Sequence, residues 1–569
     1  MIKNFVFIVE ATNVQQTSTR MKVKRTMFTT SFVKLRYRLI FLIKVFGLFT
    51  LNWVYASDFT NFKNAEYFSH SFLTSEFAER LSERFPEENS IKSFYSMRAF
   101  KPFWYDNKTR ANQLFEAVQE SYHHGLPVTR YDFTLGAEEV DIYDFEINAM
   151  ESFSNLITDL NSGILEPSEV DRAISVYPKK INVDEVFVKL LQRDTGPVDL
   201  KNDILSFAPK SLEYNNLLEE LKRLRIIVSN GGWGEPVPED KFLGFNLNHS
   251  NVKKLRTRLF KMGYLTYDSK ISLYDKEIRS AIQLFQADHG LNDDGLAGSY
   301  TLQAINVSPQ TRLTQIIVNL ERIRWSNHPK EAKHVLVNQP NFHAYLFEDD
   351  IVTWQSRVVI GLPEHQTQEF SDVMTHLIIN PVWHVPRSIS IDEYLPIIQE
   401  NPEFLEENNM RLIVRGTDES IDPKLIDMSK FEPNNFPFLI KQDPSNINAL
   451  GVVKFMFPNE FNIYMHDTPM KELFFKDERT FSHGCVRLQD PFQFAFKLLS
   501  PQESDPEKKF QKVLSSREER QINLQEEVPV RITYRTVFLG DYGQLQYRAD
   551  IYGRDAAVFS ALEEVGVRT

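Results

Sequence analysis

Apolar residues recur at helical spacing in the first half of the chain and at strand spacing in the second. Between 57 and about 235, sets such as Phe153, Leu156, Ile157 and Leu160 share one face of a 3.6-residue turn. Gly125 and Gly163 follow such runs and predict helix ends. A turn-rich loop closes this region at Ser229-Asn230-Gly231-Gly232-Trp233-Gly234-Glu235-Pro236. Residues 251–306 predict three small helices. The first carries Val252, Leu255, Leu259 and Met262 and ends at Gly263. The second opens at Asp275, carries Ile278, Ile282 and Phe285, and stops at Gly290. The third follows an Asp294-Gly295 turn, with Ser299 as its cap.

From Val335 onward the period shortens to two. His334–Phe347 predicts a strand pair, and Ile351–Ile360 a strand before Gly361. His376–Val385 predicts a strand interrupted at Asn380-Pro381; Val452–Met456 and Ile463–His466 predict two more. Alternation stops between Pro386 and about Gln442, a polar, partly helical stretch with a helix expected at Glu393–Gln399. It is too long for a simple loop and predicts an inserted subdomain or lid. Asp490-Pro491 predicts the start of a helix bearing Phe492, Ala495, Phe496 and Leu499. The tail from Val528 to Tyr552 predicts a hairpin turning at Gly540–Gly543, then a short helix. The fold class expected is multidomain α+β.

Length and composition sharpen this picture. A chain of 569 residues exceeds what one core usually serves, so two to four domains are expected. With 42% hydrophobic residues and 45 phenylalanines, large cores are expected rather than disorder. Charge is unevenly spread. Residues 1–56 hold nine Lys/Arg against Glu10 alone, a net +8, which leaves −20 for the rest of a chain whose total is −12. An acidic body of this kind excludes nucleic acid as the expected partner. The basic N-terminus leads through Lys34, Arg36 and Arg38 into Leu39–Ile43, Lys44 and the apolar run Val45–Tyr55. Val54-Tyr55-Ala56 predicts cleavage of an export signal after Ala56, with an uncleaved anchor as the alternative. The 11 residues after Lys44 are too few to span a bilayer, which takes roughly 20. Met21 and Met27 are alternative starts. One cysteine rules out an internal disulfide.

That cysteine stands in the segment with the most chemistry. Tyr464-Met465-His466-Asp467 is followed by Phe481-Ser482-His483-Gly484-Cys485-Val486-Arg487. A thiol attacks carbonyls as thiolate, and a nearby imidazole can take its proton. Gly484 permits a tight turn whose N–H groups are candidates for an oxyanion hole. Arg487 is placed to grip a carboxylate. The residues alone leave a buried structural cysteine open as the other reading. A zinc site from the two histidines and Cys485 lacks a fourth ligand at metal spacing.

The segment from His466 to Arg487 strongly resembles the L,D-transpeptidase catalytic domain: a histidine, a gap of about sixteen residues, then Ser/Thr-His-Gly-Cys-x-Arg/Asn. Residues 251–306 are similar to the peptidoglycan-binding repeat. Further patches resemble the large periplasmic subfamily: Phe94-Tyr95 with Phe103-Trp104, His124-Gly125-Leu126-Pro127, Asn319-Leu320-Glu321-Arg322, Asn380-Pro381-Val382-Trp383 with Pro386, and Asn448-Ala449-Leu450-Gly451. Thr367-Gln368-Glu369-Phe370 and Pro444-Ser445 depart from that pattern. The organisation implied is a signal or anchor at 1–56, a helical scaffold domain at 57–235 and a peptidoglycan-binding domain at 245–310. A mainly-β catalytic domain follows at 330–500 with a lid at about 387–442, completed by 501–569.

By resemblance, Cys485 is the nucleophile and His466 the general base and acid, oriented by a backbone carbonyl near Asp467. His483 is a second candidate for that role, and Gly484 belongs to the oxyanion turn. Arg487 and Tyr464 contact the donor peptide, and Trp383 lines the pocket or serves as a core aromatic. The implied donor is a tetrapeptide stem with meso-diaminopimelate at its third position, and the acceptor a second stem. Water or a lipoprotein lysine are alternative acceptors, and a non-catalytic wall-binding scaffold is the alternative of another class. No metal or organic cofactor is expected. Carbapenems are expected to acylate the thiol, cell-wall synthases are candidate partners, and the expected location is the periplasm.

Overall fold

The computed structural model describes residues 72–133, 141–192, 199–327, 331–417 and 419–569. The expected export segment lies outside the described residues. Among the described residues no helix is long and apolar enough to cross a membrane.

The first region is helical, with its longest helices at Lys108–Ser121, Ile142–Ser162 and Leu212–Ser229. Phe153, Leu156, Ile157 and Leu160 are all buried on one face of the second, as their spacing predicts, and that helix ends at Gly163. Buried Glu146 on the same helix accepts hydrogen bonds from the Tyr95 hydroxyl and from the N–H groups of Phe103, Trp104 and Tyr105. One carboxylate thus gathers the aromatic patch 94–105. The three helices of the next unit are Ser250–Met262, Lys276–Asp288 and Ser299–Asn306. Gly263 ends the first and the Asp275 side chain caps the second, as expected. Ser299 is not the cap of the third: it is the first helical residue, and Gly298 occupies the cap position.

The helix Pro309–Trp325, capped by the Ser308 side chain, is buried along most of its length and joins these regions to the β domain. Its Glu321 accepts from the N–H groups of Ile164 and Leu165 at 2.7 and 3.0 Å and pairs with Arg324.

Among the described residues, fifteen strands follow in chain order. They are β1 Lys333–Asn338, β2 His343–Glu348, β3 Ile351–Gly361, β4 Phe370–Ile379, β5 Trp383–His384, β6 Met410–Val414, β7 Ser420–Ile421, β8 Phe438–Gln442, β9 Val453–Met456, β10 Met465–His466, β11 Thr480–Ser482, β12 Val486–Leu488, β13 Arg520–Thr533, β14 Val537–Leu539 and β15 Leu545–Tyr547. The main sheet runs β11-β3-β12-β10-β9-β4-β13-β1-β2, and β2 pairs again with β3, so the sheet closes on itself. Inside lie Val335, Leu346, Met374, Leu377, Phe455, Met465, Val486 and Leu488. Each such side chain contributes about 1.5–3 kcal/mol by leaving water. The helix Pro491–Leu499 packs Phe494 and Leu498 on this core; Asp490 stands before it but its side chain makes no cap bond.

Two expectations change. The strand expected over His376–Val385 is two strands in two sheets. β4 begins earlier, at Phe370, and ends before Asn380, whose positive φ of 53° turns the chain into β5. β5 joins a separate sheet, β5-β8-β6-β7, which makes the inserted subdomain. Leu395, Ile398, Leu412, Phe436 and Ile440 give that subdomain its own core, and Trp383 belongs to it. In the tail, Val528 does not start a local hairpin. It lies within β13, which pairs with β4 and β1, and the hairpin is confined to β14 and β15. Strand periodicity could not distinguish a nearby partner from one 150 residues away.

Candidate active site

β10 runs between β9 and β12. Met465 pairs with Phe455 on one side and Val486 on the other, and all three are buried in the core. Side chains alternate across a strand. Lys454, His466 and Arg487, cross-strand neighbours in one row, therefore project to the outer face, with Tyr464 and Cys485 one step along it. Tyr464 packs there against the core of the inserted subdomain.

Cys485 is partly exposed, with Sγ 3.8 Å from the Asn462 carbonyl oxygen. The protein around it pushes the thiol up to about 11; the main chain and hydroxyl of Tyr464 and the charges of Arg487 and Lys454 oppose that. His466 is 4% exposed. Its Nδ1 lies 2.5 Å from the Asp467 carbonyl oxygen, so Nδ1–H donates and Nε2 keeps its lone pair. Burial, and then the charge of Arg487, lowers the imidazole to about 3.

The Asp467 side chain fixes this piece of backbone. Its carboxylate accepts from the Val452 N–H at 3.0 Å and pairs with Lys471 at 2.7 Å. A Cβ on Gly451 would overlap that carboxylate, which explains the glycine in Asn448-Ala449-Leu450-Gly451.

The turn before Cys485 is held from both ends. Ser482 Oγ donates to the Cys485 carbonyl oxygen at 2.6 Å and accepts from the Gly484 N–H at 3.2 Å. Thr367 Oγ1 donates to the Gly484 carbonyl oxygen at 2.8 Å. Gly484 has φ 109°, a conformation that only glycine adopts without strain. The two N–H groups of the expected oxyanion turn differ. The Gly484 N–H is engaged by Ser482, while no acceptor among the described residues takes the Cys485 N–H.

Thr367 is tied back to the helical region. The Arg554 guanidinium donates to the Thr367 carbonyl oxygen at 2.8 Å and pairs with Glu369 at 3.1 Å. Glu369 also pairs with Arg322 at 2.8 Å, and all three charges are buried. The departure from the family pattern at 367–370 is thus a charged brace.

The remaining sequence-predicted residues divide between floor and roof. Arg487 has no carboxylate within ion-pair distance among the described residues; Nη1 meets only Met470 Sδ at 3.7 Å, and Nε is buried without a partner. His483 points to the inserted subdomain, with Nε2 2.6 Å from Glu393 Oε1 and its ring 4.8 Å from that of His365. Trp383 is 8% exposed and packs edge-on to Tyr394. Tyr394 and Arg487 act on each other electrostatically. The sequence gives no sign of Thr367, Glu393 or Tyr394 at the site. Lys454 was accessible in part: alternation with Val453 and Phe455 puts it on the outer face, but its pairing with His466 is a long-range fact. A separate cavity of about 490 Å³, lined by Tyr177, Trp325, Phe370, Phe461 and Arg531 among others, does not include the thiol.

A thiol, an anchored imidazole and an unpaired guanidinium on one face of a closed sheet make a cysteine-centred site. Residues 332–507 match the L,D-transpeptidase catalytic domain, residues 89–221 a scaffold domain, and residues 248–305 a "Putative peptidoglycan binding domain". The chain therefore carries an L,D-transpeptidase catalytic domain beside a helical scaffold and a peptidoglycan-binding unit. A Haemophilus influenzae protein named "Putative L,D-transpeptidase" is 29% identical over 255 residues, 45% of this chain. The chain spans 51% of that relative's length. The L,D-transpeptidase structure from Stackebrandtia nassauensis overlaps 53% of this chain and 97% of its own, at 16% identity and a TM-score of 0.19. That from Xylanimonas cellulosilytica overlaps 52% and 100%, at 13% identity and a TM-score of 0.16. Superpositions this loose carry no argument.

Proposed function

We propose that this protein is an exported peptidoglycan L,D-transpeptidase that forms 3→3 cross-links through a Cys485 thioester. The observation that carries the reading is the half-buried Arg487 guanidinium, its Nε buried without a partner and no carboxylate within ion-pair distance among the described residues, two residues from Cys485 and next to His466 across the sheet. A charge held this way is matched to an anionic ligand. The donor stem, with a carboxylate beside the bond to be broken, fits.

The resting thiol and imidazole are both neutral at neutral pH. Proton transfer from Cys485 to His466 Nε2 therefore accompanies attack on the diaminopimelate carbonyl. The Cys485 N–H is the available donor to the oxyanion. His466 then protonates the departing D-Ala amine, leaving the thioester. The side-chain amine of a second stem attacks it, His466 takes a proton from that amine, and the thiol is restored. Tyr464 steadies the sulfur during both steps. The inserted subdomain excludes water and so favours an amine acceptor. The peptidoglycan-binding unit raises the local concentration of polymer.

Incubation with purified disaccharide-tetrapeptide, read by mass spectrometry, tests this. A 3→3 dimer is expected. Tripeptide alone would make the enzyme a carboxypeptidase, and unchanged substrate with no acyl-enzyme would refute the reading.

A further inference from the structure

We propose that Lys454 forms a second carboxylate subsite, across the reactive centre from Arg487, and that it receives the side-chain carboxylate of the residue whose carbonyl is attacked. The inference rests on the transpeptidase reading above.

The register places Arg487, His466 and Lys454 side by side on three adjacent strands. Neighbouring strands lie about 4.8 Å apart, so the two cations leave the backbone roughly 10 Å apart with the imidazole between them. Both charges act on His466 and on Cys485. Lys454 Nζ lies 5.9 Å from the centre of the Tyr464 ring, and Tyr464 in turn acts on the thiol.

Like Arg487, Lys454 lacks an ion-pair partner within 4.0 Å among the described residues. The acid that acts on it, Glu519, accepts instead from the Val382 N–H at 2.8 Å. Partial burial disfavours the ammonium, and Glu519 opposes this only from beyond ion-pair distance. Two cations without an ion-pair partner among the described residues, flanking one nucleophile, suit a substrate with two anions flanking one carbonyl. The donor stem has this form: the leaving D-Ala ends in one carboxylate, and the diaminopimelate side chain ends in another. Arg487, on the strand of the nucleophile, takes the first. Lys454, two strands away, takes the second.

The test uses the full chain and two donors, one with the diaminopimelate side-chain carboxylate free and one with it as carboxamide. Acyl-enzyme formation is followed by intact mass. The wild type should prefer the free acid by about tenfold in kcat/KM, mainly through KM. Lys454→Met should lower the free acid to the level of the amide, with a much smaller loss on the amide from the missing charge beside the thiol; Lys454→Arg should restore most of the preference. Alkylation of Cys485 by uncharged iodoacetamide should fall in Lys454→Met far less than transfer from the free acid. Equal use of the two donors by the wild type overturns the subsite without any variant. So does alkylation that falls as far as transfer, because Lys454 would then act on the sulfur alone. No wild-type acyl-enzyme with either donor overturns the transpeptidase reading and the subsite with it.

Discussion

Strands β9, β10 and β12 present Lys454, His466 and Arg487 from a backbone locked into the main closed sheet, whereas Glu393 and Tyr394 reach the same site from a subdomain with its own core. The floor is held by ladder hydrogen bonds, by Asp467 beneath His466 and by Thr367 behind Gly484. Across to the roof, the pair His483–Glu393 is substantially exposed, with side chains 32% and 45% accessible. Exposed pairs contribute about 0–1 kcal/mol. The residues proposed for the chemistry thus sit on the closed sheet, and the inserted subdomain meets them through a pair that adds little stability. The two histidines divide along the same line: His466 belongs to the floor and His483 to the contact with the roof.

The sharpest break of that comparison is Cys485→Ala. Transfer should vanish while the thermal midpoint stays near that of the parent; retained 3→3 dimer in the mass spectrum would remove the floor from the chemistry. His466→Ala should lower kcat/KM by about 10²–10⁴-fold, the usual reach of a general base. If His483→Ala costs more in the same assay, the two roles are exchanged. Glu369→Ala leaves Arg322 and Arg554 buried without their shared carboxylate, and should destabilise the protein by about 3–5 kcal/mol in denaturant unfolding. A loss under 1 kcal/mol would show that the brace does not support the floor. The thiol, raised to about 11, should react with iodoacetamide about tenfold faster per pH unit from 6 to 9, since only the thiolate attacks. A plateau near neutrality would instead reveal a preformed thiolate–imidazolium pair. The smallest effect is His483→Ala on stability, within about 1 kcal/mol.

Much of this was legible in the sequence, for identifiable reasons. Helix ends at Gly163 and Gly263 and the buried face at 153–160 follow from local spacing and backbone conformation. The anchoring of His466 by the Asp467 carbonyl was expected too, but from the family resemblance rather than from spacing. What escaped is long-range. Asn380-Pro381 reads as a break in one strand, yet it hands the chain to another sheet. Thr367 and Glu369 look like a loop that departs from the family pattern, yet their partners are 117 residues away at Gly484 and 185 away at Arg554. Gly484 was singled out as a tight turn, and Ser482, two residues before it, hydrogen-bonds within that turn as expected.

The buried charges of Arg322, Glu369 and Arg554 also bear on how the protein can be divided. Two of them lie within or beyond the catalytic stretch, but Arg322 sits on the helix Pro309–Trp325, before the first strand. A shortened protein beginning near residue 331 would keep every reactive group and still lose one arm of the clamp on the 367–370 turn. Inhibitor affinities measured on such a fragment would describe a looser thiol pocket, so screening is better served by a version that retains the helix.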